Sequence, residues 1–350
     1  MAHLSRRISR RWKSGSGLRL RLGRDPDRPV TAARLAELGM LPRDRQNARR
    51  PGPDPRADLV VAAARSGRWR PGAELLEAIG TDWERRTAVI GELAGAAAVD
   101  DAWLERWRAE RPDDPGSAGV QAMAMIELAW RIRGGNHPSR TEQERSEGFF
   151  RILNRSGRAI ARARELGERD PSPDVADIWR GIGLSRSHED MHRLWAQTSA
   201  RDPYHHLAHR GALEYWSAHW HGSRERAAAF AAESAGAAPP GALLSSLRLA
   251  AWWYHLPAEP HDREFRTGEP AEAVDLLRED VAAARPNHPY LPEARHMLAY
   301  FLIRQGRAAL ALEQFRLVDG WVGAFPWNET EHPAELYGTL RDRAVNLTGG

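Results

Sequence analysis

His188-Glu189-Asp190-Met191-His192 holds two histidines four residues apart, with a carboxylate beside the first. On a helix this spacing puts both imidazoles on one face, one turn apart. There they could share a zinc ion while the glutamate activates a bound water. The chemistry would be metal-assisted hydrolysis, and it needs a third ligand. Glu214 stands 22 residues beyond His192, and His205 and His209 stand closer. A second explanation needs no metal. Ser187 followed three residues later by Asp190 is a capping-box pattern, and Glu189 and Asp190 then sit in a first helical turn, where the helix dipole favours acids. Met191, Trp195 and Thr198 become the buried stripe, flanked by the histidines. This helix start accounts for more of the residues, so zinc is the alternative cofactor and a zinc hydrolase the alternative function.

A second concentration follows in PYHHLAHRGALEYWSAHWHGS, residues 203–223. His205 and His209 are one turn apart, and Trp216 and Trp220 repeat that interval. The spacing predicts a helix over 204–220 carrying one stripe of histidine, small apolar and tryptophan positions. Such a stripe belongs to a core by default. If it lies open, its residue types are those enriched where proteins grip partners. On that reading the contact residues are Tyr204, His205, His209, Trp216 and His219, with Arg180 from the preceding helix. Gly222 is expected to take a left-handed position after the helix, with Ser223 capping the next one.

The elements that must position these residues are helical. β-Branched residues are sparse, and apolar positions recur at three- and four-residue steps from Ala57 onward. The pattern predicts helices over 57–66, 70–79, 81–97, 100–110, 116–133, 141–168, 172–185, 188–201, 204–220, 224–236, 241–254, 269–285, 290–305, 307–318 and 333–346, and no strand. A short helix is expected at 31–39.

The helices pair, and proline follows the pairs in AERPDDP, GERDPSP, SARDPYH, GAAPPGA and AARPNHP. Pro171 to Pro203 is 32 residues and Pro203 to Pro239 is 36, with longer intervals assigned to insertions at 134–148 and 255–270. Within the repeats, LIRQGRAALALEQFRLV (302–318) puts Gly306 at a turn and Ala309, Leu312 and Phe315 on a buried stripe. These segments resemble tetratricopeptide repeats. The segment EYWSAHWHGSRERAAAFAAESA, with its W-x-G-S run, resembles a bacterial, actinobacterial-type family of tetratricopeptide-like proteins. The resemblance implies an all-α solenoid of helical hairpins over roughly 57–350, whose concave face binds a protein or peptide partner. It implies no activity.

Charge is unevenly placed. Residues 1–50 contain 14 Arg and Lys against 4 Asp and Glu, leaving 37 basic and 43 acidic residues in the rest. Residues 1–56 therefore read as a flexible, basic, Pro- and Arg-rich segment, and nucleic-acid association through it is a further alternative. Arginine supplies all of the basic residues but Lys13, and there is no cysteine, which removes disulfides and thiolate chemistry. SRRISRRWK lacks a following apolar stretch, and no apolar run is long enough for a membrane span. The expected setting is cytoplasmic, without a membrane partner. P-loop, dinucleotide and nucleophile-elbow motifs are absent.

Overall fold

The computed structural model describes residues 26–134, 142–256 and 260–349. The first part of the basic segment (1–25) and parts of the two expected insertions (135–141 and 257–259) lie outside the described residues. Among those described, every element is helical, and the only bridge pairs Asn47 with Trp321. No described helix is long and apolar enough to cross a membrane. The described residues form two compact units, 54–230 and 231–349 with 26–53.

A short helix, α1 (Ala32–Glu37), belongs to the second unit. The first unit runs through α2 (Pro55–Arg65), α3 (Arg70–Ile79), α4 (Trp83–Ala97), α5 (Ala102–Glu110), α6 (Pro115–Arg133), α7 (Glu142–Leu166), α8 (Ser172–Gly183), α9 (His188–Arg201) and α10 (His206–Trp216). Local chemistry sets the starts. Asp54, Asp82, Asp114 and Ser187 each cap their helix by accepting a backbone N–H three residues on, and Pro55 and Pro115 follow their caps directly.

Two kinds of helix alternate in this unit. The even-numbered ones form a row: α2 packs on α4, α4 on α6, α6 on α8 and α8 on α10. The inner row members are enclosed on most sides, whereas α2 at the start of the row leaves one face exposed. In α8 every residue except Arg180 is buried, and in α10 every residue except Arg210. The odd helices α7 and α9 bury one stripe each and leave the opposite face to water. On α9 the buried stripe is Met191, Leu194 and Thr198. Leu194 takes the place expected for Trp195, which is half-buried.

The row is held by ions as well as by apolar contact. Asp174 and Asp177, one turn apart on α8, are both buried. Arg164 of α7 reaches both, at 2.7 Å and 2.9 Å, while Arg201 of α9 reaches Asp174 at 2.6 Å. Arg186 holds Asp177 at 2.8 Å. Burial pushes the Asp177 carboxyl up, but Arg186 and Arg164 outweigh it and hold it below the usual carboxylate range.

Helix α11 (Arg224–Ala237) contains the boundary between the units. The second unit contains α12 (Ser246–Trp253), α13 (Asp262–Arg266), α14 (Glu269–Ala283), α15 (Leu291–Arg304), α16 (Ala308–Val318) and α17 (Pro333–Thr348). Its core is aromatic: Phe265, Tyr300, Phe301, Phe315, Trp327 and Tyr337 are all buried. Trp327 lies inside this core, against Tyr300 and Tyr337 at ring separations of 5.5 Å and 5.4 Å. Gly306 makes the expected turn with φ +80°. Ala309 is exposed, a correction to the predicted stripe: α16 begins one residue beyond the turn, and Ala311, Leu312, Phe315 and Val318 face inward.

Residues 26–53, read from sequence as part of an irregular basic arm, form a strap along this unit. Asp342 of α17 accepts from Arg43 at 3.0 Å and from the Val30 N–H at 3.2 Å. Buried Arg341 donates to the Leu41 carbonyl, and Asn346 to the Arg28 carbonyl at 2.8 Å. Asn47 donates its N–H to Gly320 and accepts from Val322. Gly323 lies so close to the strap that a Cβ there would be 2.2 Å from the Arg50 nitrogen, so only glycine fits.

Candidate functional site

Helix α9 starts as its sequence predicts. The Ser187 hydroxyl accepts the Asp190 N–H at 3.2 Å and donates to its carboxylate at 2.8 Å. That hydroxyl, and then Arg193, hold the Asp190 carboxyl below the usual range. Glu189 is exposed and pairs with Arg193 at 3.3 Å. Both acids are therefore engaged within their own helix turn.

The two histidines do not converge on a shared point with a third ligand. His188 Nε2 lies 2.6 Å from the His221 carbonyl, and its Nδ1 lies 2.9 Å from Arg226 Nη1. A carbonyl only accepts and a guanidinium only donates, so Nε2 carries the proton and the Nδ1 lone pair is occupied. The His192 ring lies over Trp216 at 4.8 Å. The named third ligands point elsewhere. Glu214 accepts from the Trp220 indole at 3.1 Å. His205 caps α10, its Nδ1 accepting from the Ala208 N–H, while its Nε2 donates to Thr87 Oγ1 at 2.9 Å. His209 Nε2 donates to the Pro203 carbonyl at 2.8 Å, and burial pushes its pKa down to about 4 against the opposing effect of that carbonyl. Among the described residues no three His, Asp or Glu side chains form a group able to hold a metal.

No protein-family model, curated protein or solved structure matches the chain. The arrangement of its own residues is therefore the basis for reading it.

The six residues expected at a partner surface separate into two groups. Tyr204 and His219 are exposed. His205 and His209 are buried in hydrogen bonds, and Trp216 is covered by His188 and His192. Arg180 donates to the Leu153 carbonyl at 2.9 Å and reaches Asp177 at 3.4 Å. Trp220 is not on α10, which ends at Trp216. The chain turns there because Ser217 begins a tight return. The N–H groups of His221 and Ser223 donate to the Tyr215 and Trp216 carbonyls, and Gly222 donates to Ser217. Gly222 is not left-handed, contrary to the expectation. It is needed because a Cβ would lie 1.8 Å from the Trp216 carbonyl oxygen. Ser223 does cap α11, accepting the Arg226 N–H at 3.2 Å.

One stripe on α9 was missed. His188, His192 and Trp195, at i, i+4 and i+7, form a ledge beside the buried face of Met191, Leu194 and Thr198. Trp216 backs the histidines, Phe230 and His209 back Trp195 at 5.3 Å and 4.7 Å, and Arg226 stands at one end. The sequence pattern places Trp195 in the buried stripe with the histidines at its flank, which hides the surface the three share.

Proposed function

We propose that the chain is a tetratricopeptide-like repeat protein that binds a protein or peptide partner, with no catalytic role assigned. The alternating row of enclosed and half-exposed helices in residues 54–230 supports the repeat reading. The observation that carries the binding reading is the ledge of His188, His192 and Trp195. It presents flat, rigid rings beside an exposed guanidinium, the residue types that supply most of the energy at protein contacts. Tyr204 and His219 remain part of this proposal. His209 and Trp216 support the surface from beneath, through ring contacts with Trp195 and with the two histidines, while His205 and Arg180 are held in other contacts of the fold.

The test has two stages. A partner captured with the wild-type chain is identified and purified, and its affinity is measured directly. The double variant H192A/W195A should weaken that affinity by at least tenfold while its unfolding midpoint stays within a few degrees. Unchanged affinity in a folded variant would refute the ledge as the contact surface.

A further inference from the structure

The outer face of α7 carries a row of arginines that the fold does not use. Phe149, Leu153, Ser156, Ile160 and Ala163 form its buried side. Arg151, Arg155 and Arg158 are exposed on the opposite side, at i, i+4 and i+7. At about 1.5 Å per residue they span roughly 10 Å of one straight edge.

Several other exposed helical arginines of the chain are neutralised within their own helix. Arg34, Arg108, Arg193 and Arg278 each pair with an acid three or four residues away. Among the described residues Arg151, Arg155 and Arg158 make no hydrogen bond or ion pair. The next member of the row, Arg162, is held by Asp113 and Glu165. The fold thus leaves three adjacent cations uncompensated on a rigid helix, although residues 51–350 together carry more acids than bases. No apolar side chain interrupts the row, so it lacks the buried anchor of an interfacial membrane helix. No aromatic ring lies within it, so it offers no platform for unstacked bases.

We infer that Arg151, Arg155 and Arg158 form a contact for the phosphodiester backbone of a nucleic-acid duplex. The charge is complementary and the row is straight and rigid, like the edge of a duplex. Each guanidinium takes one phosphate by paired N–H donors, which gives binding without sequence preference. This contact is separate from the α9 ledge, and it does not depend on the partner-binding proposal.

The test uses the full chain and a 20-base-pair DNA duplex, with affinity measured between 50 and 200 mM salt. Three phosphate contacts contribute about 2.7 to the slope of log affinity against log salt, or roughly a 40-fold change over that range. The variant R151Q/R155Q/R158Q should lose that share, with its thermal unfolding unchanged. A charge-matched control, R263Q/R266Q/R316Q, removes three exposed arginines elsewhere and should leave the slope as in wild type. An unchanged slope in the first variant, or an equal loss in the control, overturns the inference. So does a result in which the first variant loses binding only to phosphatidylserine vesicles or to polyglutamate.

Discussion

His296 should make the second unit acid-sensitive, with a size that follows from its geometry. It is fully buried on α15. Its Nε2 donates to the Pro51 carbonyl of the strap at 2.8 Å, and its Nδ1 accepts from the Trp327 indole N–H at 2.9 Å. Both bonds require the neutral ring. A second proton would sit on Nδ1 and face another N–H, with no carboxylate hydrogen-bonded to the ring to compensate it. Burial pushes the pKa down to about 4, against the smaller opposing effect of the Pro51 carbonyl. The unfolded chain titrates near 6.5. Between these values the unfolded state binds more protons, so this contribution is present above about pH 6.5 and is lost as pH falls towards 4. The full loss is about 3 kcal/mol, with about 2 kcal/mol gone by pH 5. In denaturant titrations from pH 7 to 4.5, wild type should lose stability faster than H296Q, by about 1 kcal/mol per pH unit near pH 5. The variant has a lower baseline because one of the two bonds fails, but the pH slope is what decides. Equal slopes in the two proteins would refute the assignment of a neutral, doubly bonded imidazole.

Other outcomes follow from single contacts. D174N should cost about 3–5 kcal/mol in urea unfolding, because Arg164 and Arg201 lose a buried partner; a loss under 1 kcal/mol would show that water replaces the pair. G323A should destabilise by about 1–3 kcal/mol and speed proteolytic cleavage within residues 42–53, since the strap must move off the new methyl group. G222A should lower the unfolding midpoint more than G236A, whose added Cβ meets nothing within 4 Å; equal effects would mean that the 217–223 turn rebuilds freely.

Helical periodicity was legible wherever a helix buries one stripe against the body. The α9 start was readable to the residue because a cap is a local interaction: Ser187, Glu189 and Asp190 need nothing beyond their own turn. Helix ends set by distant groups were not readable. Nothing in the local pattern marks Trp216 as the end of α10, because Trp220 keeps the helical interval and the break is set by how the return of the chain packs on the Trp216 carbonyl. The same limit applies to the Ala309 stripe. Both alanines are small enough for either face, so side-chain type could not choose between Ala309 and Ala311.

Charge was the least legible property, because sequence counts charges and structure pairs them across the chain. Arg43 lies in a basic run, yet its partner Asp342 is 299 residues away. The polar groups of residues 26–53 meet the acids and carbonyls of α17 and the loop before it, so the described part of the arm is a structural strap. Conversely, Arg151, Arg155 and Arg158 sit in a helix of mixed charge with Glu144, Glu147 and Glu165, which read locally as a solvated face. What singles them out is that three exposed arginines without a partner among the described residues share one face of one helix. The H-E-x-x-H string shows the same limit. Its spacing does put both histidines on one face of α9, but a metal site also requires free lone pairs pointing at one spot. The His221 carbonyl and the Arg226 guanidinium, 33 and 38 residues away, fix the His188 tautomer and use both of its nitrogens. A helix can bring two ligands into register; here the neighbouring helix and turn decide what those ligands bind.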